Sequence, residues 1–254
     1  MHAAAAPPDP PRAEPWYIAF GGQCPEDEPR FFEREEIPWL ERIEAQWHVI
    51  REELERLLAE PERGFIPYFK SSQVSHPGRW KVFPFCYWGW RFRGNCRRCP
   101  KTAAIIRSIP GVTTGAFSAL EPHTTIRPHV GDTNAIARCH LGLIVPAGAP
   151  RCGIKVGETV RGWEEGRFLV FSDANRHLAW NHTAESRYVL FVDVMRPQYL
   201  WQQRRVCRTM LLAVALSWIE ARLPAFRLIK PALKALLFPI VQMRLPRLLA
   251  WSTR

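Results

Sequence analysis

Between residues 112 and 197 short apolar runs alternate with turn residues. LGLIV (141–145), CGIKV (152–156), RFLVF (167–171) and YVLFVDV (188–194) are separated by Gly, Pro, Asn and Asp. Runs this short, punctuated this often, read as β-strands. They are expected around Thr114–Leu120, Thr125–His129, Arg138–Val145, Gly153–Val156, Arg167–Phe171, Ala179–Asn181 and Tyr188–Val194. Strands so closely spaced favour a closed all-β core over a parallel α/β sheet. The expected class is mainly β, a double-stranded β-helix (jelly roll).

Other periods flank this core. Leu40, Ile43, Trp47, Ile50, Leu54, Leu57 and Leu58 recur at spacings of three and four, which predicts one helix after Ile37-Pro38-Trp39, ended by Pro61. Its apolar face is expected to pack on the outside of the β core. Residues 65–92 are aromatic and turn-rich and predict two or three strands, whose rings pack the core or line a substrate mouth. A short helix is expected from Cys99-Pro100-Lys101-Thr102, with Ile105, Ile106 and Ile109 inward and Pro110-Gly111 at its end. Beyond Pro197 the pattern turns helical: MLLAVALSWIEARL and KALLFPIVQMRLPRLLAW are apolar with interspersed Arg and Lys, broken by prolines. The apolar run Met210–Ile219 is about half of what a bilayer span needs. The organisation expected is a disordered Ala/Pro-rich leader (1–14), which lacks the pattern of a signal peptide, a jelly-roll domain with a helical lead-in (15–199) and a basic amphipathic helical tail (200–254).

Charge sharpens that division. The formal net charge is +11, yet ten Lys/Arg against the single acid Glu220 lie from Trp201 onward. Basicity is therefore a property of the tail. Such a tail lies on an anionic membrane surface, on a partner or on the body itself. It is too apolar for a phosphate-binding arm, so no nucleic acid is expected. Seven cysteines, an odd number at low density, favour reduced thiols and a cytoplasmic setting. Cys96 and Cys99 form half of a zinc ribbon without a second half and read as loop thiols.

Candidate chemistry lies within the β core. His129 follows Pro128 at a strand end, before the turn Gly131-Asp132-Thr133-Asn134. His177 is expected in another turn, with Ser172-Asp173-Ala174-Asn175-Arg176, just before the strand at Ala179. Two distant histidines at strand ends suit an open-sided metal site on a barrel rim. Non-haem Fe(II) oxygenases usually add a carboxylate spelled His-x-Asp, but the second residue after His129 is Gly131, so that carboxylate is missing and water or another group is expected in its place. Arg187 opens a strand with hardly any other charge nearby. A dicarboxylate co-substrate that chelates iron at one end needs a cation at the other, and a bidentate Arg on a rigid strand supplies it.

These residues carry a resemblance. CPKTAAIIRSIPGV, FSALEPHTTIRPHVGDTN, RCHLGLIVP, VGETVRGWEEGRFLVF and SRYVLFVDVMRP, between about Cys99 and Pro197, resemble the aspartyl/asparaginyl β-hydroxylase family of Fe(II)/2-oxoglutarate oxygenases. The resemblance implies that His129 and His177 bind Fe(II) and that Ser118, His140 and Arg187 hold 2-oxoglutarate. Arg138 then stands at the boundary between co-substrate and substrate. It implies O2 as the second co-substrate and hydroxylation of an unactivated C–H with release of succinate and CO2. Some members carry Gly where others carry the carboxylate ligand, as at Gly131 here.

One departure concerns the substrate. Members that hydroxylate acidic side chains read Arg-x-Arg-x-His, whereas this chain reads Ile136-Ala137-Arg138-Cys139-His140. Ile136 cannot pair with a substrate carboxylate. Bacterial lipid A acyl hydroxylases also lack that Arg and are similar across IPWLERIEAQWHVIREE, though they keep His-x-Asp. The readings are a hydroxylase of an amino-acid side chain (free, peptidyl or carrier-bound), a membrane-surface lipid acyl hydroxylase, and a jelly-roll binding module without activity. The intact set of His129, Arg138, His140, His177 and Arg187 argues against the last.

Overall fold

The computed structural model describes residues 13–60 and 64–243. Most of the expected leader, Pro61 at the helix end and the last stretch of the tail lie outside the described residues. The chain divides into two compact units, one ending at Trp201 and one beginning at Gln202.

The first unit holds eleven strands. They are β1 (Ile66–Pro67), β2 (Trp80–Tyr87), β3 (Trp90–Arg91), β4 (Val112–Leu120), β5 (Thr124–His129) and β6 (Ile136–Ile144), followed by β7 (Cys152–Val156), β8 (Thr159–Arg161), β9 (Phe168–Phe171), β10 (His177–Asn181) and β11 (Arg187–Met195). Two antiparallel sheets result. The larger runs β1-β2-β4-β11-β6-β9, with β3 also on β2; the smaller runs β5-β10-β7-β8. From β4 onward the chain passes back and forth between the two sheets.

The two-residue period of a strand sorts the side chains. On β6, Ala137, Cys139, Leu141 and Leu143 enter a core on one face of the large sheet, while Arg138 and His140 line a cavity on the other. On β11, Leu190, Val192 and Val194 take the first face; Arg187 and Phe191 line the cavity. Between the sheets, Leu120, Ile154, Val156, Phe171 and Val189 form a second core.

The helices of this unit are α1 (Leu40–Glu44), α2 (Trp47–Ala59), α3 (Arg93–Arg98) and α4 (Pro100–Arg107). The mainly β expectation is therefore met in part: the architecture is mixed, with helices outside two antiparallel sheets. Ile43, Ile50, Leu54 and Leu57 are fully buried with Ile106 and Phe117, so the predicted apolar face does pack on the sheet. The single predicted helix is broken, however. At Gln46 the backbone N–H turns to Ile43 O, and the Gln46 side-chain amide donates to the Arg42 carbonyl instead. The chain bends there and two short helices follow the sheet. Strand bounds depart from expectation by two residues or fewer, except that the sequence reading had no counterpart for β8.

The N-terminus of α4 has no cap of its own. Buried Glu53 on α2 accepts hydrogen bonds from Lys101 N at 3.1 Å and Thr102 N at 2.7 Å. Its carboxylate thus satisfies two free N–H groups and sits at the positive end of the helix dipole. Glu53→Ala is expected to cost about 1–3 kcal/mol in urea unfolding, as for loss of a charged cap to buried donors. An unchanged unfolding midpoint would remove this role.

The second unit contains α5 (Gln203–Arg222), a 3-10 turn (Pro224–Leu228) and α6 (Lys230–Gln242). Among the described residues no helix is long and apolar enough to cross a membrane.

Candidate functional site

All six residues singled out from the sequence line one cavity between the sheets. Ser118 on β4, His129 on β5, Arg138 and His140 on β6, His177 on β10 and Arg187 on β11 share it with Trp80, Trp163, Phe171 and Phe191. His177 starts β10 rather than lying in the preceding turn, and it pairs in register with His129. The pairing places the two imidazoles with ring centroids 4.1 Å apart.

Their proton positions follow from the backbone. His129 Nδ1 is 2.8 Å from Arg127 O, and His177 Nδ1 is 2.8 Å from Asn175 O. A carbonyl only accepts, so each Nδ1 carries the proton and each Nε2 keeps its lone pair. Burial lowers both imidazoles below their ordinary pKa, His177 to about 4, which keeps them neutral. Neutral histidines oriented by backbone carbonyls are ready metal ligands.

The surroundings also ask for a cation. Asp173 Oδ1 lies 3.3 Å from His177 Nε2, so two acceptors face each other without a proton between them. Asp173 is a site residue that sequence reasoning missed. Its carboxylate fills the space above Gly131: a Cβ there would lie 2.0 Å from Asp173 Oδ2. Burial would raise the Asp173 pKa, but neighbouring Arg138 outweighs it and holds the carboxyl below its ordinary value. Among the described residues no three His, Cys, Asp or Glu side chains form a closed metal cluster. Asp173 Oδ1 is already engaged by Arg138 Nη1 at 2.5 Å. Two imidazoles with a carboxylate beside them suit a divalent cation with open positions, and these residues fit Fe(II).

A buried cation stands on the other side of the cavity. Arg187 is 2% exposed, and its Nε and Nη1 have no hydrogen-bond partner among the described residues. Its guanidinium lies 4.5 Å from the Trp163 ring centre, and burial lowers its pKa to about 10. A buried, incompletely paired guanidinium is costly, and an anion relieves the cost. Trp163 also donates from Nε1 to His140 Nδ1 at 3.3 Å. Indole is only a donor, so Nδ1 accepts and neutral His140 carries its proton on Nε2. Burial, then Arg187, press the His140 pKa well down. Ser118 Oγ accepts from Trp80 Nε1 at 3.1 Å, leaving its hydroxyl proton to donate. Arg187, His140 and Ser118 together offer donors to a carboxylate. Trp80 belongs to the aromatic stretch expected to pack the core or line a substrate mouth, whereas Trp163 had no spacing signal in the sequence.

Arg138 is placed differently from a free co-substrate ligand. Its Nε and Nη2 bond Asp193 Oδ1 and Oδ2 at 2.7 and 2.9 Å, and Nη1 bonds Asp173. Its fork is committed to two internal carboxylates. Ile136, 1% exposed, lines the adjoining space with Tyr68, Tyr87, Trp88 and Phe191. The remaining charges there are Asp132, held by Lys70 at 3.2 Å, and the Arg138 partners.

The depressed His177 pKa has a consequence for stability. Between about pH 6.5 and pH 4 the unfolded chain takes up a proton that folded His177 refuses. The metal-free protein is therefore expected to lose stability as pH falls through that window, by on the order of 3 kcal/mol from this group. Urea unfolding at both ends of the window measures it, and His177→Gln should lose less than the parent. An equal loss in both proteins would refute the assignment.

The chain is similar to known proteins over most of its first unit. A family model described as aspartyl/asparaginyl β-hydroxylase matches residues 44–197. An ornithine lipid ester-linked acyl 2-hydroxylase of Rhizobium tropici is 38% identical over 174 residues, covering 66% of this chain and 61% of that protein. The human aspartyl/asparaginyl β-hydroxylase is 31% identical over 172 residues, 65% of this chain and 22% of that protein. Mouse aspartate β-hydroxylase domain-containing protein 2 is 32% identical over 175 residues, covering 65% of this chain and 50% of that protein. The chain thus spans less than two thirds of each of these relatives.

Proposed function

This chain belongs to the aspartyl/asparaginyl β-hydroxylase family, and from that premise we propose that it is an Fe(II)/2-oxoglutarate-dependent hydroxylase of a lipid acyl chain. The two facing sheets are read as the double-stranded β-helix of such enzymes. Iron with 2-oxoglutarate and O2 supplies oxidative decarboxylation coupled to hydroxylation of an unactivated C–H.

The chain's own groups position these reactants. His129 and His177 would hold iron through Nε2. Asp173, tethered by Arg138, places a negative charge beside it. Arg187 grips the far carboxylate of 2-oxoglutarate with the His140 Nε2–H and the Ser118 hydroxyl, while Trp163 holds Arg187 and His140 in place. Aromatic walls exclude water from the reacting carbon.

The observation that carries the substrate class is the space around Ile136. It is lined by aromatic rings and by carboxylates, and its one guanidinium is already forked on Asp193. An acidic side chain entering there meets several like charges and a guanidinium already forked, whereas an uncharged aliphatic chain escapes that repulsion and meets the rings of Tyr68, Tyr87, Trp88 and Phe191. The amino-acid side chain that the sequence put first therefore gives way to the acyl chain. The similarity to the ornithine lipid acyl hydroxylase points the same way.

The test is to supply iron, 2-oxoglutarate and either an acylated amino-acid lipid or Asp- and Asn-containing peptides, and to follow succinate release and substrate mass. Hydroxylation of the acyl chain alone supports the reading. Hydroxylation of the peptides alone returns the substrate to the amino-acid class.

A further inference from the structure

α5 buries Val206, Met210, Ala213 and Leu216, but the bend after it and α6 carry apolar residues outward. In α6, the exposed positions are Pro231, Ala232, Ala235, Leu236, Pro239 and Ile240. They recur as adjacent pairs four residues apart, so they form one stripe along the helix. A helix of a water-soluble body places polar residues on that face. Here Leu236 is 63% exposed, and in the bend before α6 Leu223 and Leu228 are 61% and 85% exposed. Exposed apolar residues thus occur both in the bend and along the helix.

Cations border it. Residues 202–243 contain seven Lys/Arg against one acid, Glu220. Glu220 is shared between Arg227 at 3.3 Å and Lys230, so even the local pairing leaves excess positive charge. Arg222 lies over the exposed Trp218 ring at 3.5 Å from its centre. An aromatic ring joined to a cation suits the boundary between headgroups and acyl chains.

We propose that the α6 stripe and the bend at residues 223–229 form a docking surface for an anionic lipid bilayer. The leucines and Ile240 enter the acyl boundary, and the flanking Arg and Lys meet headgroup phosphates. Neither helix can cross a bilayer, so the unit lies in the interface plane. A second copy of the chain is a poorer occupant, because the excess positive charge on each copy would repel the other. The surface is built from residues outside the proposed catalytic site, and it stands or falls independently of the substrate reading.

Full-length protein is sedimented with vesicles of phosphatidylcholine alone or mixed with phosphatidylglycerol. Binding is expected on the mixed vesicles, falling as salt rises, and little on phosphatidylcholine. The triple variant Leu228→Glu, Leu236→Glu, Ile240→Glu changes exposed positions. It should keep its circular dichroism and its succinate release without vesicles, while its partition falls by about a hundredfold or more. Three results would overturn the proposal: no sedimentation of the parent at low salt, equal sedimentation of parent and variant, or equal binding to both vesicle types. A parent dimer that the variant splits into monomers, seen by light scattering, would assign the face to a second copy instead.

Discussion

Replacing Arg187 by alanine is expected to raise the 2-oxoglutarate requirement about a hundredfold, with the fold intact. Arg187 is buried in the cavity wall, with Nε and Nη1 unpartnered among the described residues. A carboxylate there gains charge-assisted hydrogen bonds from a group fixed on a rigid strand, and losing a buried charged partner costs about 3 kcal/mol, which is about a hundredfold. Stability should rise or stay level in the variant, because the unsatisfied cation is costly without its anion. Arg187→Lys should recover only part of the affinity, since a point charge cannot make the fork. Trp163→Phe should give a smaller effect than Arg187→Ala, because it removes the indole N–H to His140 and keeps a ring under the guanidinium. Titration of succinate release against 2-oxoglutarate measures all three. An unchanged half-saturation in Arg187→Ala would move the carboxylate site elsewhere.

Removing one imidazole should have the other large effect. His177→Ala or His129→Ala is expected to abolish Fe(II) binding as read by equilibrium dialysis, because only two Nε2 lone pairs are aimed at the site. Asp173→Ala should weaken metal binding by about 10–100-fold, the usual size for a group next to the ligands. Asp132→Ala should leave it within about twofold, because Asp132 is turned to Lys70. Gly131→Asp tests the geometry from the opposite side: its Cβ would collide with the Asp173 carboxylate. Retained metal binding in His177→Ala, with loss in Asp132→Ala, would reverse the ligand assignment.

Much of this protein was legible along the chain. Short apolar runs punctuated by Gly, Pro, Asn and Asp located the strands from β4 to β11 within two residues, β8 apart, because strands buried between layers need apolar residues and the turns between them do not. The three-to-four spacing from Leu40 to Leu58 located a helical face for the same reason. His129, His177 and Arg187 stood out because polar and charged groups at strand ends beside apolar runs are expensive unless used. Local spacing could not report what comes from other strands. Asp173 faces His177 and fills the room above Gly131 only after β5 and β10 pair. Arg138 looked free for a ligand until β11 brought Asp193 to its fork. Trp163 acquired its role by lying between His140 and Arg187. The tail shows the same division in reverse: its apolar and basic composition was plain, but which residues face outward was decided by the hairpin of α5 and α6. Pattern along a chain records which positions must be buried. Pairing across strands and helices decides which polar groups meet, and that decision is made in three dimensions, where charge and hydrogen bonding act over a few ångströms whatever the sequence separation.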